Sequence, residues 1–130
     1  MSALARYFNV LGKRVGGYDR TETSLTNALA TQGMEINYAD DIDSIPSDYT
    51  KIENIDEVLV VYTPAIPRTS VQLRYFQMNG FMLFKRSQVL GEISKNYKTL
   101  AIGGSHGKTT ISAMIAEIFR KSPLGCSAFL

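Results

Sequence analysis

Residues 104–110 read Gly-Ser-His-Gly-Lys-Thr-Thr, and no other stretch of the chain gathers so many groups suited to holding phosphate. Glycines let successive backbone N–H groups converge on phosphate oxygens, and a helix beginning there adds the positive end of its dipole. Lys108 has the reach for β- and γ-phosphates, and the Thr109 hydroxyl suits a Mg2+ shell. At average amino-acid usage, G-x-x-G-K-[ST] arises by chance in roughly 0.4% of chains this long. A glycine-rich turn with a solvated lysine is therefore the weaker reading. The common phosphate loop has a glycine five positions before the second one; that place holds Ile102, which leaves the shorter form. Gly104, Ser105, His106, Gly107, Lys108, Thr109 and Thr110 are the candidate phosphate contacts, with Lys108 as the cation and Thr109 as the candidate Mg2+ ligand.

Other reactive side chains carry less. His106 is the one histidine, so it builds no His-rich metal site, and a structural place in the loop competes with a ligand contact. Cys126, the one cysteine, forms no internal disulfide and has no neighbouring base to activate it. The acids between 40 and 48 lack the glycine and closing glutamate of an EF-hand, so they read as a solvated loop.

The elements that must position the 104–110 loop alternate between helix and strand. Ser2 is placed to cap a first helix with Leu4, Phe8 and Leu11 on one face and Gly12 as its stop. A strand over 13–19 precedes a helix from about Thr23, with Leu25, Ala28 and Leu29 apolar and Gly33 ending it. Residues 34–38 read as a strand. A loop with one helical turn, interrupted by Pro46, leads to the strongest strand of the first hundred residues, 58–62, whose unbroken β-branched character suits burial on both faces. A helix from about Thr69 stops at Asn79-Gly80, 81–85 is a strand, and Ser87 caps the next helix. The strand TLAIG at 99–103 and a helix from Lys108 to Arg120 flank the loop. Such alternation with short connections predicts a parallel sheet with helices on both faces. A doubly wound fold usually opens on a strand that becomes central, whereas this chain opens on a helix.

Composition agrees with a soluble globular chain: 130 residues, 45% hydrophobic, 20% charged, net charge +2. There is no apolar run long enough to span a bilayer and no secretory signal, so the expected location is the cytoplasm, with no membrane or nucleic-acid partner. Charge is unevenly spread: eight acids face one base between 35 and 57, and nine Lys and Arg face two acids from 58 onward. A basic second half suits an anionic ligand and equally a solvated surface.

The short loop with Thr-Thr after its lysine resembles that of the Mur ligases, ATP-dependent amide-forming enzymes of bacterial cell-wall precursor synthesis, and the likeness runs along the whole chain. Met1-Ser2-Ala3 looks like the tail of that family's opening loop, GxGGxGMS. Val15-Gly16-Gly17-Tyr18-Asp19 resembles its second strand, and Tyr62-Thr63-Pro64-Ala65-Ile66-Pro67 the turn the family writes Ser-Ser-Ala-Ile. Lys85-Arg86-Ser87-Gln88-Val89-Leu90 resembles its Arg-x-x-x-Leu signature, and residues 125–130 the stretch after its phosphate-loop helix. Ser105 stands where the family commonly has Thr. Asn37-Tyr38-Ala39-Asp40 stands where many members carry a histidine, so no substrate contact is assigned there.

The resemblance implies an α/β fold: residues 1–96 as a Rossmann-like UDP-sugar domain without its first strand, and 97–130 as the start of a P-loop ATP domain. It implies UDP-N-acetylmuramate and L-alanine as substrates, ATP and Mg2+ as cofactors, and an acyl-phosphate intermediate, with the 130 residues inactive by themselves. Substrate-site candidates are Ser2, Asp19 at a strand end where Rossmann folds place a ribose-contacting acid, Thr63 and Ala65 beyond the strongest strand, and Arg86 toward a pyrophosphate. A solvated aspartate, a Pro-fixed turn and a surface arginine are the competing readings. A sibling ligase for another amino acid or peptide, a non-catalytic nucleotide-binding module and a purely structural piece are the alternatives. Unpaired strand edges further predict instability, self-association or a rearranged strand order.

Overall fold

The computed structural model describes residues 1–129, apart from the side chains of Ile52 and Asn54; Leu130, which closes the 125–130 stretch, lies outside the described residues. The elements are α1 (Ser2–Val10), β1 (Gly16–Tyr18), α2 (Ser24–Thr31), β2 (Glu35–Asn37), β3 (Val60–Tyr62), α3 (Val71–Met78), β4 (Leu83–Lys85), α4 (Arg86–Lys95) and α5 (Lys108–Lys121). Two 3-10 segments, Ser47–Tyr49 and Ile52–Glu57, occupy the long connection before β3.

The strands pair in parallel, β1 with β2 from Gly16 opposite Glu35 to Tyr18 opposite Asn37, and β3 with β4 from Val60 opposite Leu83 to Tyr62 opposite Lys85. The expectation of one sheet is thus corrected: the described residues form two two-stranded sheets, each joining strands consecutive in the chain. Residues 99–103 are not a strand, because strand character in the sequence creates no ladder without a neighbouring backbone to bond; they pair with none among the described residues, and Leu100 is 64% exposed. For the same reason β3 is shorter than its apolar run and only half-buried, not covered on both faces.

α1, α2 and α3 end alike. Gly12, Gly33 and Gly80 sit just past each helix with φ of 75°, 87° and 81°. The next residue's N–H reaches back to the helix: Lys13 to Phe8 O at 3.0 Å, Met34 to Leu29 O at 3.2 Å, Phe81 to Phe76 O at 3.1 Å. This reversal satisfies carbonyls that the helix leaves open. In α2 and α3 it also turns the following apolar side chain inward, so Met34 and Phe81 are buried beside Leu29 and Phe76 respectively.

Helix starts are more varied. Thr23 and Thr26 exchange bonds across the first turn of α2, the Thr26 N–H donating to Thr23 Oγ1 at 3.2 Å and the Thr23 N–H to Thr26 Oγ1 at 2.9 Å. Ser70 accepts from the Leu73 N–H at the start of α3. Two expected caps are corrected. Ser2 is the first helical residue and Met1 the cap position, while Lys85, not Ser87, precedes α4, its N–H held by Gln88 Oε1 at 2.7 Å. Leu11 and Leu25, read as apolar helix positions, are exposed, as are Val71 and Met78 of α3; the buried apolar set among the described residues is Leu4, Leu29, Met34, Ile45, Phe81 and Val89. α1 packs on α2, α2 on β2, and α4 on β3 and β4. No helix among the described residues is long and apolar enough to cross a membrane.

Polar side chains connect the two strand pairs. Asp40, just beyond β2, accepts from the Ser70 hydroxyl at 2.9 Å and from the N–H groups of Val71 at 3.1 Å and Gln72 at 3.0 Å. Gln72, buried, donates to Asn37 Oδ1 at 2.9 Å and Ala39 O at 2.8 Å. The reading of residues 40–48 as a merely solvated loop is therefore corrected at Asp40, which anchors the start of α3. It is corrected again at Asp48, which pairs with Arg14 and Lys51. Partial burial works against ionisation of Asp40, but the bonds from Gln72, Ser70 and Val71 outweigh it and hold its carboxyl below the ordinary 3.8.

On β1, Gly16 leaves room for Tyr49: a Cβ there would lie 2.8 Å from Tyr49 Cε2. Arg14 lies over the same ring, 5.7 Å from its centroid, and donates to Glu35 at 2.6 Å. The Tyr49 hydroxyl is buried with no partner among the described residues, and burial first, then the Glu35 charge, pushes its pKa up despite Arg14.

Two outcomes follow for urea unfolding of the chain. Asp40→Ala should cost about 1–2 kcal/mol at neutral pH. The folded carboxyl binds its proton less readily than the unfolded one, so this contribution is complete above pH 3.8 and disappears as pH falls through the lowered folded value, where variant and parent converge. Gly16→Ala should cost about 1–3 kcal/mol by pushing against the Tyr49 ring, whereas Tyr49→Phe, which removes an unpaired hydroxyl, should be neutral or mildly stabilising. A Gly16→Ala chain as stable as its parent would contradict the close packing described.

Candidate nucleotide and substrate site

The carboxyl ends of the strands carry the expected substrate residues. Asp19 follows β1 and continues its ladder, its N–H donating to Asn37 O at 3.1 Å while its exposed carboxylate accepts from the Thr21 N–H at 3.2 Å. Thr63 follows β3. Its carbonyl accepts from the Ile66 N–H at 3.1 Å, closing a turn over Pro64 and Ala65, and a second turn from Pro67 to Ser70 leads into α3. Thr63 is half-buried and Ala65 exposed. Because Tyr62 lies opposite Lys85 in the β3–β4 register, Thr63 and Arg86 occupy matching positions just beyond the ladder.

The start of α1 joins this group. The Met1 amino group, beside Ser2, is lowered by burial and then by the Arg86 guanidinium, with the Asp19 carboxylate opposing. Asp19 and Arg86, from elements far apart in sequence, thus both act on the charge at the start of α1.

The 104–110 loop has the backbone its glycines suggest. Gly104 has φ of 149° and Gly107 φ of 77°; Gly107 occupies the cap position of α5, its carbonyl accepting from the Ile111 N–H at 2.9 Å. Only glycine adopts such angles without strain. Lys108 folds over the loop, its Nζ donating to Gly104 O at 2.7 Å and Ser105 O at 3.2 Å. Ser105, His106, Thr109 and Thr110 are exposed, and the first N–H groups of α5 face the same side as any helix start must. An anion fits this donor set. Thr109 offers Mg2+ one hydroxyl, and no cluster of three or more His, Cys, Asp or Glu suited to a metal occurs among the described residues. Cys126 is exposed and turned to Ala116 O at 3.7 Å.

A cleft of about 360 Å3 brings the loop and α4 together, lined by Arg86, Ser87, Leu90, Ile102, Lys108, Thr109, Ser112 and Phe129. Ser112 escaped the sequence reading, although it lies one turn after Lys108 on the same helical face, where i and i+4 side chains meet. Ser87 was read only as a cap. A larger groove of about 530 Å3, lined mainly by apolar side chains such as Phe8 and Ile93, shares no lining residue with this cleft.

With this geometry in view, the likeness to known proteins can be placed. A family model described as Mur ligase family, catalytic domain, matches residues 1–98. Over all 130 residues the chain is 51% identical to the UDP-N-acetylmuramate–L-alanine ligase of Cytophaga hutchinsonii, covering 27% of that protein. It is 48% identical to the ligase of the same name from Parabacteroides distasonis and 42% identical to that from Porphyromonas gingivalis, covering 28% of each. The chain thus spans a little over a quarter of the length of these curated relatives. The matched residues include the strand ends and helix starts around Asp19, Thr63 and Arg86, and the chain belongs to the Mur ligase family.

Proposed function

We propose that these residues form part of an ATP-dependent ligase that joins L-alanine to UDP-N-acetylmuramate in peptidoglycan precursor synthesis. Residues 1–96 belong to the Rossmann-like UDP-sugar domain and 97–130 to the P-loop ATP domain. Working in the cytoplasm, the whole enzyme would consume ATP with Mg2+. The observation that carries this reading is the loop at 104–110, where two positive-φ glycines lead into a lysine held at the start of a helix. The shared name of relatives up to 51% identical supports the choice of substrates.

Each residue then has a task. The backbone N–H groups from Gly104 to Gly107 and of Thr110 cradle phosphate oxygens, and His106 borders them. Lys108 exchanges its loop carbonyls for the terminal phosphates and offsets charge that grows on the transferring group. Thr109 would contribute a hydroxyl to Mg2+, which when bound would offset the negative charge of the phosphate groups. Ser2, Asp19, Thr63 and Ala65 line the crevice at the carboxyl ends of the strands, where open α/β sheets take their ligands, and hold the UDP-sugar. Binding that sugar beside the loop is what presents its carboxylate to the phosphoryl group.

In the full-length enzyme, Lys108→Ala should lower ligation by at least about a thousandfold while leaving UDP-N-acetylmuramate affinity nearly intact. Phosphate release and calorimetry measure the two separately; undiminished turnover would remove Lys108 from its role. Gly107→Ala meets open packing, its new Cβ 3.8 Å from Ile111 Cδ1, yet forces alanine to φ near 77°. It should therefore weaken ATP binding about tenfold through backbone strain of roughly 1–2 kcal/mol, and unchanged nucleotide affinity would show that the loop does not need this angle.

A further inference from the structure

We propose that Arg86 grips the reacting carboxylate and the phosphoryl group as they meet, and not the diphosphate of the UDP-sugar. This rests on the ligase reading above and assigns Arg86 a place within it. Arg86 is the first residue of α4, set directly after β4, so its helix starts at the carboxyl edge of the β3–β4 sheet. Its side chain lines the same 360 Å3 cleft as Lys108, Thr109 and Ser112 of α5. Two helix starts from the two expected domains open onto one volume, each contributing a cation.

The lining explains what that volume suits. It holds a guanidinium, an ammonium and three hydroxyls, with no carboxylate among them, so its charge matches an anionic occupant. Its volume falls in the range of small-molecule sites, about 300–1,000 Å3. A guanidinium presents paired donors to a carboxylate or phosphoryl group, which an ammonium does not. Lys108, whose Nζ folds over its own loop carbonyls at 2.7 and 3.2 Å, stands on the α5 side of the cleft, where the proposed function puts the terminal phosphate. Arg86 faces it from the start of α4, directly beyond the β3–β4 ladder and level with the end of β3, where the sugar-binding candidate Thr63 follows. Arg86 and Lys108 together offset the charge gathering on the oxygens around phosphorus while the carboxylate–phosphorus bond forms. The bond from phosphorus to the β,γ-bridging oxygen breaks, its electron pair leaving on ADP, and no proton moves in that step.

Arg86→Ala and Arg86→Lys in the full-length enzyme test this, with steady-state kinetics read beside calorimetric binding of UDP-N-acetylmuramate and a β,γ-imido ATP analogue. For Arg86→Ala, kcat should fall about a hundredfold or more, while KM and Kd for the UDP-sugar stay within about threefold. Added guanidinium should restore part of kcat, and Arg86→Lys should remain impaired because the paired donors are lost. A rise of about tenfold in the Kd of the UDP-sugar with kcat unchanged would place Arg86 on the diphosphate and overturn the proposal. Unaltered kinetics and binding would overturn it as well while leaving the ligase reading intact. A parent enzyme that turns over no UDP-N-acetylmuramate with ATP and L-alanine would instead sink the ligase reading, and this proposal with it.

Discussion

Backbone hydrogen bonding between parallel strands organises everything else in this chain. Parallel neighbours cannot be joined by a tight hairpin, so each pair encloses a helix: α2 between β1 and β2, α3 between β3 and β4. The crossover returns the second strand of each pair to the direction of the first, so the carboxyl ends within a pair lie together. Asp19, Thr63 and Arg86 are site candidates for that reason alone. They are the residues at which β1, β3 and β4 stop.

Since the two strand pairs exchange no ladder bonds among the described residues, side chains take over the task of relating them. The carboxylate of Asp40 closes the open N–H groups at the start of α3, and the buried amide of Gln72 bonds back to Asn37 and Ala39. A charged acceptor at a helix start is favoured both by its hydrogen bonds and by the helix dipole. Tyr75 adds a third tie, its hydroxyl donating to Thr50 O at 3.2 Å. The burial of Ser70 and Gln72 follows from this division of labour, since a buried hydroxyl or amide is tolerated where it finds a partner, as these do in Asp40, Asn37 and Ala39.

Local chemistry was legible in the sequence and long-range chemistry was not. Gly12, Gly33 and Gly80 mark helix ends because positive φ is a property of a few consecutive residues, and Lys108 marks the start of α5 for a similar reason. The sheet was only half legible. Alternation of helix and strand predicted parallel pairing correctly, but the apolar runs overstated strand length and supplied a strand at 99–103 that has no ladder partner. Asp40 was misread as solvated, and Tyr49 and Ser112 went unassigned, because their roles depend on what another segment brings to them: the start of α3, the bare backbone of Gly16, and the start of α4. Arg86 was legible as a candidate, while its company with Lys108 in one cleft required the fold.

The three glycines that end α1, α2 and α3 have nothing within 4 Å of where a methyl group would sit, so bulk is not what keeps them bare. Handedness is. An L-residue at φ of 75°, 87° or 81° is strained, but its mirror-image counterpart favours that half of conformational space. A chain made by chemical synthesis with D-alanine at positions 12, 33 and 80 would keep every reversal in place while its disordered form lost freedom. These three corners are thus closed to genetic substitution yet open to a chemist.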